Sequence, residues 1–369
     1  MFNPVTDYVD KLVREKKLPL LEVLVYKDNK PVYRHHASFE SQHAENEPLT
    51  MFSCTKVLTA VSGMRLIERG KISLDDPVSK YIPAFEDAYT VDEDGNRHKE
   101  VIKVRHLFTM STGFDYKRYT PAVEALVKEK YDTATTTDVV CANLKRPLNF
   151  KPGTRFLYSL SHDALGALIE TVEGMNLAEY MQKNIFDPLG MNDSTMFSAK
   201  YANNSPALYK IVGDGFELED RNYYAKRHPV KNYVNGGSSL VSTVNDYAIF
   251  SATLANKGRS ADGYQLLKPE TIEKMKEVHF DAIDVNCAFT CVQGKDYGYG
   301  LGVRVRTVEN ECGIPKGEFG WDGAAGSYTL IDTDNNVCIT MGMNILNWPE
   351  IFRGEHLAIA NLIYKELLK

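Results

Sequence analysis

The sequence lacks three features that would assign it to well-known classes of protein. No uninterrupted apolar stretch approaches the ~18 residues of a membrane-spanning helix, and residues 1–7 do not form a basic segment followed by an apolar one. Positive charge is not in excess either, because 43 Lys and Arg face 49 Asp and Glu for a net charge of −6, unlike the basic surface of a nucleic-acid-binding protein. We therefore expect no membrane span, no secretory signal, no nucleic-acid partner and, by default, a cytoplasmic location.

Cysteine is sparse and scattered. The six are Cys54, Cys141, Cys287, Cys291, Cys312 and Cys338. No C-x-x-C pair occurs, and Cys287 and Cys291, four residues apart, would need further ligands nearby to hold a metal. We expect free, mostly buried thiols, no metal and no organic cofactor.

Length and patterning together predict two lobes with strands toward both ends of the chain. A chain of 369 residues exceeds what one hydrophobic core usually serves. Residues 21–26 and 31–34 flank a turn and are typical of a β-hairpin. Further strands are expected at residues 298–305, 327–332 and 336–341.

Helices are expected between these two groups of strands. Apolar residues recur at three and four positions within residues 53–69 and 161–173, and Gly70 and Gly174 are placed to end those helices. The predicted fold class is α/β of the α+β type. It consists of an antiparallel sheet, flanked by helices and built from both termini, with an inserted, mostly helical domain.

The order of the elements also predicts how the chain divides. The sheet domain should consist of residues 1–78 and 236–369. Residues 79–235 should form the inserted helical domain. The active site is then expected at the interface of the two.

Ser53 and Lys56 form an S-x-x-K motif at the start of the predicted helix. Residues three apart on a helix share a face, so the hydroxyl and the ammonium can meet. A serine hydroxyl becomes a good nucleophile once a neighbour takes its proton, and a desolvated lysine can take it because burial lowers the pKa of an amine. The tetrapeptide alone is also compatible with Ser53 as a simple N-cap.

Tyr158 follows the turn Pro152-Gly153 and precedes the helix predicted from residue 161. A tyrosine held there can project its hydroxyl into a cleft. Beside a lysine ammonium the phenolate form is favoured, so that the side chain can act as a base near neutral pH. A packed surface tyrosine is the alternative, since the chain has 21 tyrosines.

Small residues follow Trp321 just before the strand expected at residues 327–332. Gly323 and its neighbours would let a substrate lie against the strand edge. A backbone N–H near Ala324 could face that of Ser53, and two such donors would form an oxyanion hole for acyl transfer. A glycine-rich hairpin turn is the alternative.

These motifs occur with others along almost the whole chain. In order they are Ser53–Lys56, residues 70–78, residues 104–113, Pro152-Gly153, Tyr158-Ser159, residues 187–191, residues 236–243 and Trp321-Asp322-Gly323. On this set the chain resembles the serine β-lactamase and penicillin-binding-protein superfamily, in its class C-like branch of esterases and acyltransferases. The resemblance implies that Ser53 is acylated and that Lys56 and Tyr158 share the proton transfer. It also implies an oxyanion hole formed by the N–H groups of Ser53 and Ala324.

Two departures from the β-lactamase pattern favour esters as substrates, as in the carboxylesterase and transesterase members. Leu160 stands where the tyrosine motif usually has Asn, and Trp321 stands in place of the lysine of Lys-Thr-Gly. That lysine would bind a substrate carboxylate, whereas an indole suits an uncharged group, and Asp322, if it faces the cleft, would repel an anion. The residues predicted to bind substrate are Leu160, Trp321, Asp322 and Gly323. We expect neutral esters to be cleaved in preference to β-lactams.

The predicted function is cleavage of a small-molecule carboxylic ester through an acyl-enzyme, with acyl transfer to another alcohol as a variant. A β-lactamase or D-amino-acid peptidase is one alternative, and a non-catalytic binding or sensor protein on the same fold is another. His106 and His162 suggest a Ser-His-Asp arrangement, but no G-x-S-x-G elbow surrounds Ser53, and His106 is expected to cap or pack at its helix start. The sequence does not determine the oligomeric state.

Overall fold

The structure, a computed structural model, describes residues 2–196, 205–213, 215–220, 223, 225–281 and 296–369. The predictions for Cys287 and Cys291 lie outside these residues. The described strands are β1 (Leu21–Lys27), β2 (Lys30–Ala37), β3 (Leu49–Thr50), β4 (Tyr89–Val91), β5 (Arg97–Lys99), β6 (Thr195–Met196), β7 (Tyr209–Val212), β8 (Gly215–Leu218), β9 (Leu240–Ser242), β10 (Tyr297–Tyr299), β11 (Arg304–Arg306), β12 (Phe319–Asp322), β13 (Tyr328–Asp332), β14 (Val337–Gly342) and β15 (Ile345–Leu346). The described α-helices are α1 (Asn3–Lys16), α2 (Thr55–Glu68), α3 (Val104–Phe108), α4 (Pro121–Lys130), α5 (Thr136–Asn143), α6 (Ser161–Glu173), α7 (Leu177–Met181), α8 (Asp187–Leu189), α9 (Val244–Ala255), α10 (Pro269–Met275) and α11 (His356–Leu367).

Seven of these strands form one antiparallel sheet in the order β10-β11-β12-β13-β14-β1-β2. The N-terminal hairpin joins the C-terminal strands through β1 and β14, where Val23 lies opposite Met341. In the hairpin turn, Asp28 and Asn29 have φ of 52° and 59°, a conformation that short polar side chains tolerate. The prediction of an antiparallel sheet built from both termini is confirmed.

The two faces of this sheet are covered by different helices, because successive side chains of a strand point to opposite sides. On one face α1 and α11 pack in a cluster with Val23, Leu330 and Ile339. On the other face α2 and α9 pack in a cluster with Leu24 and Trp321. Trp321 therefore lies on the face that meets the helix beginning just after Ser53.

The single strand predicted for residues 298–305 is wrong, because the structure has a hairpin there. β10 and β11 are antiparallel, with Tyr299 opposite Arg304. Gly302 in the turn has φ 88°, which is accessible to glycine but strained for other residues. Gly300 approaches the Met275 carbonyl so closely that a Cβ would lie 2.2 Å from its oxygen. The glycines therefore serve a turn and a close contact and do not continue a strand.

The two helices predicted from periodicity are confirmed. The first is a 3-10 turn, Phe52–Cys54, that continues as α2. The second is α6, which ends at Gly174 with φ 65°. The division into domains at residues 78/79 and 235/236 stays a prediction.

Four cysteines fall within the described residues, and all are free thiols. Cys54 and Cys338 are buried, whereas Cys141 and Cys312 are half-buried. In the same part of the chain, no helix combines the length and apolar character needed to cross a membrane. Nor do three or more His, Cys, Asp or Glu of that part come together as a metal site.

Candidate active site

Ser53 is half-buried and lies in the 3-10 turn that precedes α2. The turn is closed by the N–H of Cys54, which donates to Met51 O, and by the N–H of Thr55, which donates to Phe52 O. The N–H of Ser53 comes before these two donors in the chain. It belongs to the start of the helix, where backbone N–H groups have no partner within the helix itself. Phe52 has φ 44°, a costly conformation for a bulky residue, and it sets the direction in which the chain enters the turn.

Lys56 is fully buried and holds three oxygen atoms around its ammonium. Its Nζ donates to Ser53 Oγ at 3.1 Å, to the Tyr116 hydroxyl at 3.3 Å and to the Gly237 carbonyl at 2.8 Å. The S-x-x-K spacing thus brings the two side chains together as predicted. Three acceptors match the three N–H donors of a lysine, so the amine has a fixed position beside the hydroxyl.

Tyr158 approaches Ser53 from the other side. Its hydroxyl donates to Ser53 Oγ at 2.7 Å. Its ring is nearly parallel to that of Tyr116, with centroids 5.4 Å apart, and to that of Trp321, with centroids 5.7 Å apart. Lys56 Nζ lies 4.6 Å from the centre of the Tyr158 ring. A phenol and an amine therefore both lie within hydrogen-bonding distance of one serine hydroxyl, the geometry that nucleophile activation requires.

Hydroxyl groups behind Tyr158 connect its segment to the turn after α3. Ser161 Oγ lies 2.8 Å from Ser159 Oγ and 2.9 Å from Thr112 Oγ1. The N–H of Leu157 also donates to the Met110 carbonyl at 2.9 Å. All three hydroxyl-bearing residues are buried, so these bonds fix the backbone that carries the tyrosine.

Sequence reasoning missed Tyr116 and Gly237. Burial alone would raise the pKa of Tyr116, but nearby cations outweigh burial and lower it. They are Lys56, Arg118 and Arg227. No spacing rule indicates Tyr116, since it meets Lys56 only through folding. Gly237 belongs to one of the motifs, but its use as a carbonyl acceptor has no sequence signal.

Trp321 and Asp322 point to opposite faces of β12. The indole Nε1 of Trp321 donates to the Tyr158 hydroxyl at 3.4 Å, and its ring meets Tyr299 edge-on at 5.2 Å. Asp322 is buried and accepts from Arg304 Nη1 at 2.8 Å on the other face. The expectation that Asp322 could face the cleft and repel an anion is corrected, because strand alternation turns it away.

Gly323 directly follows β12 and lies against the turn that carries Ser53. A Cβ at this position would lie 2.3 Å from Met51 O, and Ser327 Oγ donates to the same carbonyl at 2.9 Å. Only glycine allows the strand to approach so closely. Ala324 follows and is half-buried. Its role as second oxyanion donor stays a prediction.

Three other residues singled out from the sequence are not among the side chains described above as bonding to Ser53, although one of them, His162, interacts with Lys56. Leu160 is buried and lines a small cavity with Phe114 and Tyr233, so its proposed contact with substrate stays a prediction. His106 accepts from the Lys103 N–H at 3.1 Å, which confirms the expected cap of α3. His162 is buried with Nε2 3.3 Å from Phe108 O, and burial lowers its pKa to about 3.

Known proteins are similar to this chain over most of its length. The family model described as Beta-lactamase matches residues 5–362. Lovastatin esterase of Penicillium rubens is 28% identical over 328 residues, covering 79% of this chain and 78% of that protein. ML-236A carboxylate methylbutanoyltransferase of Penicillium citrinum is 24% identical over 329 residues, covering 82% of this chain and 77% of that protein. The solved structure of EstCE1, a hydrolase with promiscuous acyltransferase activity, superimposes with a TM-score of 0.79 at 20% identity, covering 99% and 98% of the two chains.

Proposed function

Because the chain belongs to the beta-lactamase family, we propose that it cleaves carboxylic esters through an acyl group on Ser53. The main evidence for this proposal is that the Tyr158 hydroxyl and Lys56 Nζ both bond to Ser53 Oγ, at 2.7 Å and 3.1 Å. The relatives named as an esterase and an acyltransferase support two fates for the acyl group, which are transfer to water and transfer to a second alcohol.

The chemistry follows from these contacts. Tyr158, its phenolate favoured by the Lys56 ammonium, takes the proton of Ser53 as the oxygen attacks the ester carbonyl. The tetrahedral intermediate carries its negative charge on the former carbonyl oxygen, which the N–H groups of Ser53 and Ala324 would stabilise. The proton then passes to the departing alcohol as the ester bond breaks. Water or another alcohol reverses these steps and releases the acyl group.

A fluorophosphonate probe tests the nucleophile directly. We expect the wild-type protein to be labelled on one residue, and the modified peptide to contain Ser53. The Ser53→Ala variant should lose both labelling and ester hydrolysis. Ser62→Ala, further along the same helix, should keep both and serves as the matched control. Hydrolysis by Ser53→Ala within tenfold of wild type would overturn the assignment, and absence of labelling in wild type would favour a non-catalytic binding protein.

Position 321 separates an esterase from a β-lactamase. A lysine there would give a substrate carboxylate a charge-assisted hydrogen bond of roughly 1.5–3 kcal/mol, and Trp321 cannot replace that charge. We therefore expect kcat/KM for a p-nitrophenyl ester to exceed that for a cephalosporin. Equal or better turnover of the cephalosporin would make the β-lactamase alternative the correct one. The small-molecule nature of the ester and the cytoplasmic location remain proposals.

A further inference from the structure

We propose that Arg118 and Arg227 form an anion-binding subsite beside the nucleophile, so that the preferred substrates are esters that also carry a carboxylate. This inference rests on the proposed ester cleavage and adds the chemical class of the substrate. It reverses the expectation of neutral esters, which was drawn from Leu160, Trp321 and Asp322.

Each guanidinium group lies over the ring of a residue next to the catalytic groups. That residue is Tyr116 for Arg118 and Phe52 for Arg227. The Arg118 guanidinium carbon is 4.7 Å from the centre of the Tyr116 ring, and the hydroxyl of that ring accepts from Lys56. The Arg227 guanidinium carbon is 5.6 Å from the ring of Phe52, which directly precedes Ser53, and 5.3 Å from the ring of Tyr223.

Their nitrogen atoms are incompletely paired within the described residues. Nε and Nη2 of Arg118 and Nε of Arg227 have no hydrogen-bond partner there. Arg227 Nη1 donates to the Tyr223 hydroxyl at 2.7 Å, which brings no negative charge. By contrast, Arg146 pairs with both carboxylate oxygens of Asp115 at 2.6 and 2.5 Å. A guanidinium stays charged at all ordinary pH values. Asp163 and Tyr116 already act on the charge of Arg118, and a ligand carboxylate could in addition pair with the nitrogen atoms that have no partner.

The charged groups near Tyr116 also favour a bound anion. The cations Lys56, Arg118 and Arg227 lower the pKa of Tyr116 although burial and the carboxylate of Asp163 act to raise it. That carboxylate is buried, and its Oδ1 already accepts from the Gly237 N–H at 2.9 Å. The net effect of these groups on Tyr116 is that of positive charge, which would favour an anionic group bound there.

Both arginines are partly exposed as whole residues, whereas their unpartnered nitrogen atoms are shielded from solvent. Lys56 is fully buried, whereas Ser53, Tyr116, Arg118 and Arg227 are each partly exposed. A planar guanidinium suits a carboxylate because it can donate two parallel hydrogen bonds. Trp321 contacts Tyr158 and Tyr299 instead, so the proposed subsite is a different part of the site from the position of the missing lysine.

A matched pair of substrates tests the proposal. The p-nitrophenyl ester of glutaric acid keeps a free carboxylate, and its methyl ester is the neutral counterpart with the same leaving group. We expect wild-type kcat/KM to be about tenfold or more higher for the anionic ester, and this ratio to fall as ionic strength rises. In Arg118→Gln and in Arg227→Gln the ratio should fall about tenfold, and Arg118→Lys should restore part of it.

Arg97→Gln is the matched control, since Arg97 lies over the Tyr89 ring at 4.5 Å in another part of the chain, and it should keep the wild-type ratio. A wild-type ratio near one would overturn the proposal. Equal losses of kcat/KM on both esters in the variants would also overturn it, because Arg118 would then act through Tyr116. If Arg118→Gln does not fold, Arg227→Gln and the wild-type salt dependence still decide. Failure of the proposed function differs from these outcomes, because neither ester would be cleaved and Ser53 would not be labelled.

Discussion

The indole Nε1 of Trp321 donates a hydrogen bond to the hydroxyl of Tyr158 over 3.4 Å. The same hydroxyl donates to Ser53 Oγ over 2.7 Å. A residue that the sequence suggested as a substrate contact therefore contacts the proposed base itself. A donor to the phenol oxygen favours the phenolate and so affects how readily Tyr158 accepts a proton.

Trp321→Phe should weaken catalysis while keeping an aromatic ring beside Tyr158. The lost hydrogen bond, worth about 0.5–1.5 kcal/mol, predicts a kcat about two- to tenfold lower. The acidic limb of the kcat/KM profile should move to higher pH, because the phenolate loses a donor. Trp348→Phe, in the cluster on the opposite face of the sheet, is the control for which no such movement is expected. An unchanged limb in Trp321→Phe would contradict the proposed effect on the base.

Lys56→Ala and Tyr158→Phe should each lower kcat by about 10²-fold or more, the range of positioned acid–base groups. Their combined effect should be much smaller than the product of the single effects, because both groups contact the same oxygen, Ser53 Oγ, and act as a unit. Steady-state kinetics of the two single variants and the double variant give the coupling. Fully multiplicative losses would show independent roles.

His356 should make the fold sensitive to acid. It is fully buried, with Nε2 3.0 Å from the Gly326 carbonyl, and burial lowers its pKa from 6.5 to about 4. Between these pH values the unfolded chain binds a proton that the folded chain does not, so stability is complete above pH 6.5 and is lost as pH falls. The loss attributable to this residue is about 3 kcal/mol at pH 4.

Urea unfolding at pH 7, 5 and 4 measures this effect. The free energy of unfolding of His356→Gln should fall less between pH 7 and pH 4 than that of wild type. His98→Gln changes an exposed histidine that is paired with Asp92 and serves as the control. Parallel pH curves for wild type and His356→Gln would contradict the prediction.

Glu170 should have the opposite pH dependence. Burial raises its pKa from 4.5 to about 7, although the Leu177 N–H and Thr136 Oγ1 donate to its carboxylate. The folded chain holds a proton that the unfolded chain has released, so this contribution to stability is complete below pH 4.5 and is lost as pH rises through 7. Glutamine resembles the protonated acid and does not titrate.

Glu170→Gln should therefore be more stable than wild type at pH 8, by at most about 3 kcal/mol, and equally stable at pH 4.5. Urea unfolding at the two pH values measures the difference. Glu129→Gln, on the exposed end of α4, is the control and should match wild type at both. A stabilisation that is the same at pH 4.5 and pH 8 would show that the carboxyl is not the titrating group.

Local features of the fold were predictable from the sequence alone. Helix α6 begins at Ser161 and ends at Gly174 because apolar spacing and a left-handed glycine act within a few residues. The meeting of Ser53 and Lys56 is equally local, since a helical start places residues three apart on one face. The antiparallel sheet built from both termini followed from the strands predicted toward each end of the chain.

Tertiary structure alone decided which distant groups complete the site. Tyr116 and Gly237 reach Lys56 from far along the chain, and no periodicity or spacing encodes such contacts. Alternation requires Trp321 and Asp322 to point to opposite faces, but only the packing of β12 against the start of α2 decides that the indole meets Tyr158 while the carboxylate meets Arg304. The physical reason is that side-chain direction in a sheet depends on register and on what covers each face, and both are set by the folded chain as a whole.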